Sequence, residues 1–339
     1  MSDKSQKIIR MTVLNFPYVK ARIPIFSIKL SHNIIFSCTF AVNIKRRKYT
    51  MAENIRKPEW LKVKIASGEN FEKVKQTVSK HHLHTICESG KCPNKSKCWT
   101  MGTATFMISG DICTRSCKFC ATKTGKPLPL DSQEPVRLAE SIRLMHLNYC
   151  VITSVDRDDL PDKGAQHWFD CITTVRELNP ATKIEVLIPD FDGKAEWIQK
   201  VCDAQPDVIG HNLETVKRLS PQVRSRADYQ TSLKTLAYIA QSGIVAKSGI
   251  MVGIGETQDE VVELMEDLRS VGCELFTIGQ YLQPGPKNLE VVEYIHPDLF
   301  AFYKEKGLAL GFKAVESAPY VRSSYMAENS YINSKLAQK

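Results

Sequence analysis

Residues 113–120 read Cys-Thr-Arg-Ser-Cys-Lys-Phe-Cys and come shortly after an apolar run at 103–108 that has the composition of a β-strand. A second triplet, Cys87, Cys92 and Cys98, precedes them, so that six cysteines fall within 34 residues. Iron–sulfur clusters are held by cysteine thiolates, usually four for each cluster. A triplet therefore predicts a cluster with one iron left open to another ligand or to a substrate.

Structural zinc and disulfides are the competing interpretations of these cysteines. Zinc knuckles favour paired CxxC steps closed by four ligands, and neither triplet shows that step alone or a histidine at the usual interval. A disulfide framework is disfavoured because the chain is long, holds an odd count of 11 cysteines and shows no secretory signal. Iron–sulfur ligation is the prediction that fits both triplets.

With both triplets considered, the sequence resembles the radical S-adenosylmethionine enzymes, in which a CxxxCxxC triplet holds a 4Fe-4S cluster whose free iron binds the cofactor. The spacing Cys87-x4-Cys92-x5-Cys98 and the Arg-Ser-Ser-Tyr stretch at 322–325 are similar to the auxiliary-cluster motifs of the lipoyl synthase family. The resemblance covers about residues 58–327. Further matching stretches are TSVDRDDL at 153–160, HNLET at 211–215, KSGIMVGIGET at 247–257 and QYLQP at 280–284.

The resemblance implies that one chain binds two 4Fe-4S clusters and S-adenosylmethionine. In that family a serine oxygen of the terminal motif is the fourth auxiliary ligand, a role that falls here on Ser324 rather than Ser323. The implied ligands are Cys113, Cys117 and Cys120 for the cluster that cleaves S-adenosylmethionine, and Cys87, Cys92, Cys98 and Ser324 for the auxiliary cluster.

The activity that the resemblance implies is insertion of two sulfur atoms at carbons 6 and 8 of an octanoyl chain, with the auxiliary cluster as sulfur donor. Breaking an unactivated carbon–hydrogen bond requires a cofactor, because no side chain can do it as acid, base or nucleophile. The implied partners are octanoylated lipoyl-domain proteins, namely 2-oxoacid dehydrogenase subunits and the glycine cleavage H protein, and a flavodoxin or ferredoxin-type reductant. Neither nucleic acid nor membrane is expected as a partner.

Two other classes of function remain open on the residues alone. One is a different two-cluster radical enzyme that thiolates RNA or modifies a peptide. The other is a non-enzymatic module organised by zinc, or an iron–sulfur carrier. About eight irons and eight labile sulfides for each chain would support two cubane clusters, whereas bound zinc would support the module.

From residue 103 onward, apolar runs of strand length alternate with helical periodicity, which predicts an α/β fold: a partial (β/α)6 TIM-like barrel with N-terminal and C-terminal lid extensions. The predicted strands are 103–108, 150–154, 183–188, 208–211, 246–251 and 275–279. The predicted helices are 136–147, 165–178, 194–204, 229–242, 258–271 and 297–310. The predicted divisions are a basic, non-catalytic extension at 1–50, an auxiliary-cluster segment at 51–100, the barrel at 101–311 and a lid carrying the serine motif at 312–339.

Polar residues of the matching stretches follow the predicted strands, and the loops at that end of a barrel form its active site. We expect Thr153, Ser154 and Asp156 to contact the methionyl amino group of the cofactor. Asn212, Glu214 and Arg224 are expected near its ribose or carboxylate. Polar residues after strands also commonly cap the next helix, and this alternative stays open.

The net charge of +9 arises in the first fifty residues, which hold ten Lys or Arg and a single acid, Asp3. The rest of the chain holds 36 basic and 36 acidic residues, so the body lacks the positive excess that favours nucleic acid. Met51 resembles a natural start for the family, so residues 1–50 are expected to be an extension or a misassigned start, with a transit peptide as the alternative. The expected location is cytoplasmic, or an organellar matrix if that alternative holds.

Overall fold

A computed structural model describes residues 56–62 and 68–336, which belong to one compact unit. The predicted extension at 1–50 lies outside the described residues. Within those residues, no helix combines the length and the apolar content needed to cross a bilayer.

The fold is built on an open eight-stranded sheet in the order β1-β2-β5-β6-β7-β8-β9-β10. The strands are β1 (His84–Thr85), β2 (Thr105–Ile108), β3 (Ile112–Cys113), β4 (Lys123–Thr124), β5 (Tyr149–Ser154), β6 (Lys183–Leu187), β7 (Val208–Gly210), β8 (Val245–Val252), β9 (Leu275–Gln280) and β10 (Ala314–Ser317). All neighbours in this sheet are parallel except β1, which pairs antiparallel with β2. Strands β3 and β4 form a separate parallel pair. The six predicted strands are confirmed as β2 and β5 to β9.

Helices follow the strands in the alternation that the sequence predicts. The helices are α1 (Glu69–Lys80), α2 (Ile86–Ser89), α3 (Lys95–Thr100), α4 (Glu134–Leu144), α5 (Ala165–Leu178), α6 (Ala195–Asp203), α7 (Ser220–Val223), α8 (Tyr229–Gln241), α9 (Gln258–Ser270), α10 (Pro297–Ala309) and α11 (Ala327–Leu336). Their ends carry local signals, such as the capping box in which Thr257 and Glu260 satisfy each other's backbone N–H groups at the start of α9. The predicted helices correspond to α4, α5, α6, α8, α9 and α10.

Alternate residues of the central strands face two different environments. In β5, Cys150 and Ile152 point to the buried core that the outer helices cover, whereas Val151 and Thr153 line a cavity on the inner face. This is the two-residue period of a strand buried on both faces. The architecture is therefore the predicted partial barrel, with β1 and β10 as strands beyond the predicted six.

The chain after α10 first extends the sheet as β10 and then crosses its inner face, where Val321 lies against Gly279. Strand β10 pairs with β9, and α11 packs near the opposite, amino-terminal ends of the strands, where the Tyr331 ring lies 5.9 Å from that of Tyr149. Val208, Val245 and Leu275, which lie at strand starts, also form a buried cluster against Tyr331. Helix α11 thus covers the end of the barrel that is opposite the cavity.

Candidate active site

A cavity of about 590 Å³ lies at the carboxyl ends of the parallel strands. Every predicted site residue lines it except Cys98, whose side chain is partly buried against the core behind Cys87 and Cys92. The fold therefore brings five of the six triplet cysteines, the terminal serine motif and the proposed cofactor contacts to one cavity.

The loop that carries Cys113, Cys117 and Cys120 begins in β3 and is closed by the pairing of β3 with β4. Two backbone amides, those of Arg115 and Asp156, donate to the Cys113 Sγ at 3.4 Å each. The amide of Thr122 donates to the Cys120 Sγ at 3.4 Å. These contacts fix the sulfur atoms of Cys113 and Cys120, two residues that line the cavity.

Arg115, inside the cysteine loop, is a buried cation whose importance was not predicted. Its guanidinium makes paired hydrogen bonds with Asp158 (2.9 and 3.0 Å) and with Asp190 (3.1 and 2.9 Å). Burial alone would lower the pKa of Arg115, but these carboxylates outweigh it and raise the pKa. Arg115 thereby joins the cysteine loop to the loops that follow β5 and β6.

Asp156 follows β5 and has an unusual environment. Its Oδ1 is buried and accepts no hydrogen bond from the described residues, and its nearest cation is Arg115 Nη1 at 3.4 Å. Burial raises the pKa of Asp156 despite the opposing charge of Arg115. The neighbouring Thr153 hydroxyl donates to the Leu187 carbonyl at 3.2 Å. An acceptor of this kind suits a cationic ligand group, because a buried carboxylate oxygen without a donor is costly.

The segment after β7 contributes Asn212 and Glu214, and Arg224 follows α7. The Asn212 amide donates to Glu214 Oε1 at 3.1 Å, and burial raises the pKa of Glu214. Arg224 donates to the Ser232 hydroxyl at 2.8 Å and has no carboxylate within 4 Å among the described residues. Behind them, burial and then Arg224 lower the pKa of His211 to about 4, so this imidazole is neutral near pH 7.

The second triplet is held by short helices and by the carboxyl-terminal tail. Cys87 lies in α2 and Cys98 in α3, and the backbone N–H of Cys92 donates to the Cys87 carbonyl at 3.1 Å. Asn94 donates to the Tyr320 carbonyl at 2.6 Å, and the Lys97 ammonium donates to the Tyr325 hydroxyl at 2.7 Å. These contacts bring the serine motif beside the cysteines although more than 200 residues separate them.

The two serines of the motif differ in their contacts. Asn212 donates to the Ser323 Oγ at 2.7 Å, whereas the Ser324 hydroxyl makes no hydrogen bond within the described residues and lines the cavity. Arg322 also lines the cavity. Its side chain makes one hydrogen bond within the described residues, in which Nη1 donates to the Val321 carbonyl, and burial lowers the pKa of Arg322. Ser324 is therefore the serine with a free oxygen.

The thiol spacing tests whether the triplets suit clusters or a single ion. Zinc holds sulfur at about 2.3 Å in a tetrahedron, which places ligand sulfurs roughly 4 Å apart. In the described residues, only Glu134, His167 and Cys171 have metal-binding atoms all within 4.8 Å of one another. In each cysteine triplet at least one pair of sulfur atoms therefore lies more than 4.8 Å apart, which is wider than a single zinc ion allows. The residues present therefore fit 4Fe-4S clusters better than zinc.

Metal binding must also overcome the protonation of these thiols. Burial raises the pKa of Cys113 to about 12, with Asp156 adding to the effect. Burial likewise raises the pKa of Cys98 to about 12, with Cys87 and Cys92 contributing. The free thiols of Cys113 and Cys98 are thus protonated at neutral pH, and binding of metal to them would release protons.

The remaining described cysteines, Cys150, Cys171, Cys202 and Cys273, are buried away from the cavity. Cys171 lies near His167, whose Nε2 is 2.6 Å from Glu134 Oε2. The same Glu134 oxygen accepts the backbone N–H of Ser109 at 2.8 Å, so this group supports the turn after β2. These four cysteines are therefore small buried side chains of the core.

Comparisons with known proteins agree with this geometry. The model of the radical SAM superfamily matches residues 107–268, and that of the N-terminal domain of lipoyl synthase of the radical SAM family matches residues 36–92. The chain is 60% identical to a lipoyl synthase of Parabacteroides distasonis over 82% of this chain and 99% of the relative. It is 63% identical to a lipoyl synthase of Bacteroides fragilis over 81% and 96%.

A likeness among solved structures supports the fold alone. The crystal structure of Streptococcus suis SuiB bound to S-adenosylmethionine aligns with a TM-score of 0.52 at 11% identity, covering 67% of this chain and 54% of that one. Since the full-length relatives share most of their sequence with this chain, the assignment rests on them. The chain belongs to the lipoyl synthase family of radical S-adenosylmethionine enzymes.

Proposed function

We propose that this chain thiolates carbons 6 and 8 of an octanoyl group carried on a lysine of a lipoyl-domain protein, using two separate metal centres that face one cavity. The observation that carries the proposal is the convergence on that cavity of the Cys113, Cys117 and Cys120 triplet, of two cysteines of the other triplet, and of Ser324. Relatives named lipoyl synthase at about 60% identity do not favour RNA thiolation, peptide modification or a zinc module.

The proposed ligands are the thiols of both triplets and the oxygen of Ser324. When bound, a cluster on Cys113, Cys117 and Cys120 with S-adenosylmethionine supplies a radical that removes hydrogen from an unactivated carbon, and a cluster on the other set supplies sulfur. The free Ser324 hydroxyl supports its choice over Ser323, whose oxygen is already engaged by Asn212. An oxygen is a poorer match for iron than a thiolate, which suits a ligand that must leave as the donor is dismantled.

The cofactor contacts are assigned by charge. Asp156, with its buried oxygen lacking a donor, is proposed to hold the methionyl ammonium together with Thr153 and Ser154. Arg224, with no carboxylate within 4 Å in the described part of the chain, is proposed to hold the carboxylate. Asn212 and Glu214 are proposed to bind the ribose hydroxyls. These side chains orient the ligand and exclude water, since an effective radical step needs close, dry positioning.

The divisions of the chain and its surroundings are part of the proposal. Residues 51–100 and 312–339 are proposed to complete the auxiliary site around a barrel at 101–311, and residues 1–50 to have no catalytic role. The proposed carriers are 2-oxoacid dehydrogenase subunits and the glycine cleavage H protein, with a flavodoxin or ferredoxin-type reductant. The proposed location is the cytoplasm, and mass spectrometry of the native amino terminus tests the alternative of a transit peptide.

The activity is tested by anaerobic incubation of the reconstituted chain with an octanoylated lipoyl-domain peptide, S-adenosylmethionine and a chemical reductant. The expected result is a peptide that gains two sulfur atoms, with no gain when S-adenosylmethionine is omitted. An unchanged peptide mass from protein that carries about eight irons would contradict the proposal.

A further inference from the structure

The carboxyl-terminal tail follows a path that glycine makes possible. A Cβ on Gly279 of β9 would lie 2.0 Å from the Val321 carbonyl oxygen. A Cβ on Gly249 of β8 would lie 2.4 Å from Thr277 Oγ1 and 3.2 Å from Ser323 Oγ. Because real Cβ atoms do not approach other atoms at 2.0 Å, Gly279 must lack a side chain for the tail to lie against the sheet, and Gly249 leaves room for Thr277 and for the Ser323 hydroxyl.

Ser323 is the tail residue that reaches the cofactor side of the cavity. Its Oγ accepts a hydrogen bond of 2.7 Å from Asn212 Nδ2, and the same amide group donates to Glu214 Oε1 at 3.1 Å. The turn that follows is closed by the Tyr325 amide, which donates to the Arg322 carbonyl at 2.9 Å. The position of Ser324 therefore depends on a turn that is tied at Ser323 to the loop after β7.

We propose that Ser323 is a positioning residue that aims the Ser324 oxygen at the auxiliary cysteines and ties the sulfur-donor site to the cofactor site through Asn212. Ser323 does not touch the reacting atoms. Its hydroxyl fixes the orientation of the turn, and the Asn212 amide that binds it belongs to the loop assigned above to the cofactor ribose. The inference rests on the proposed role of Ser324 as a ligand.

The test compares Ser323→Ala with Ser324→Ala and with Ser330→Ala in the full-length, anaerobically reconstituted chain. Ser330 is a matched control because it is a buried tail serine whose hydroxyl has no partner within the described residues and does not line the cavity. The readout is the three-iron cluster signal in electron paramagnetic resonance after mild oxidation, recorded with S-adenosylmethionine present to protect the other cluster. Cleavage of S-adenosylmethionine is measured in parallel.

For Ser323→Ala we expect the ratio of three-iron to intact auxiliary cluster to rise about fivefold, the change that loss of one hydrogen bond produces. Cleavage of S-adenosylmethionine should be retained, Ser330→Ala should match the unsubstituted chain, and Ser323→Thr, which keeps the hydroxyl, should restore the signal at least in part. A perturbed cluster in Ser324→Ala with an unchanged one in Ser323→Ala would overturn this inference and leave the ligand assignment intact. An unchanged cluster in Ser324→Ala would instead overturn the ligand assignment.

A double substitution tests the link to the cofactor loop. If the hydrogen bond between Asn212 and Ser323 carries the effect, Asn212→Ala combined with Ser323→Ala should disturb the auxiliary cluster no more than Ser323→Ala alone. Additive effects of the two substitutions on the auxiliary cluster would overturn the proposed coupling.

Discussion

The two metal-binding ends of the cavity are assembled in different ways. The Cys113 end takes its thiols from one loop of eight residues, which Arg115 ties to the loops after two neighbouring strands. The Cys87 end combines short amino-terminal helices with a tail more than 200 residues later in the chain. On the proposed ligand assignment, the centre that must persist through turnover is built from one loop of the barrel, whereas the centre that gives up its sulfur takes its proposed serine ligand from a separate segment.

Removing one thiol from each end should give the largest and clearest contrast. Cys113→Ala is expected to abolish both cleavage of S-adenosylmethionine and thiolation, because it removes a proposed ligand of the radical-generating centre. Cys92→Ala is expected to abolish thiolation but to keep formation of 5′-deoxyadenosine. Chromatography of the nucleoside and mass measurement of the peptide read out the two activities.

Cys202→Ala is the matched control for these substitutions, because Cys202 is a buried cysteine in α6 away from the cavity. Cys202→Ala should still form both 5′-deoxyadenosine and the thiolated peptide. Loss of 5′-deoxyadenosine in Cys92→Ala would contradict the proposal that one end cleaves S-adenosylmethionine and the other end donates sulfur.

Loss of a buried charge at the Cys113 end should lower the stability of the protein more than loss of a charge at the surface. Arg115→Gln leaves the buried Asp190 carboxylate without its cation and Asp158 with only Lys163 and Arg226, which should lower the free energy of unfolding by about 3–5 kcal/mol. Arg218→Gln is the control, because Arg218 binds Glu260 at the surface with a side chain that is 52% exposed. There we expect a loss below about 1 kcal/mol by chemical denaturation. Equal losses of unfolding free energy in Arg115→Gln and Arg218→Gln would mean that the ion pairs of Arg115 do not anchor the cysteine loop.

Protonation of His211, which lies behind the proposed cofactor contacts, should lower the stability of the folded protein in acid. The pKa of this histidine is lowered to about 4 by burial and by Arg224, against about 6.5 in an unfolded chain. Between these values only the unfolded chain binds the proton, so stability is complete above pH 6.5 and falls as the pH drops toward 4. The expected loss is roughly 3 kcal/mol over that window.

Denaturation curves of His211→Gln should be flatter between pH 6.5 and 4 than those of the unsubstituted chain. His296→Gln, at an exposed position, should keep the original slope. If His211→Gln retains that slope as well, another group is responsible for the acid sensitivity.

The smallest expected effect concerns the path of the tail. Gly279→Ala places a Cβ against the Val321 carbonyl and should cost about 1–3 kcal/mol, as overpacking does. It should lower iron retained at the auxiliary end without changing the other centre. Gly285→Ala is the control, since a Cβ there meets only Asn288 Oδ1, at an ordinary 3.5 Å. Thermal unfolding and iron analysis measure both variants.

The barrel, and the position of five of the six triplet cysteines at its mouth, could be predicted from sequence because they depend on local order. Apolar runs repeat at strand and helix spacing, and each triplet lies within a short segment. Strand β10 was missed because only Ala314 and Val315 of its four residues are buried, too few to show a period. The contacts of Arg115 and Ser323 were missed for another reason. Their partners Asp190 and Asn212 lie 75 and 111 residues away, and no local pattern encodes such pairs.

The paired amides on Cys113 have an electrochemical consequence. Its sulfur receives N–H groups from two different loops, at 3.4 Å each, while Cys117 has only the Ser225 hydroxyl at 3.7 Å. N–H dipoles directed at a sulfur ligand stabilise added negative charge on the iron it binds, which raises the reduction potential. The backbone amides that bind the Cys113 sulfur should therefore also make it easier for a weak electron donor to reduce a cluster held there.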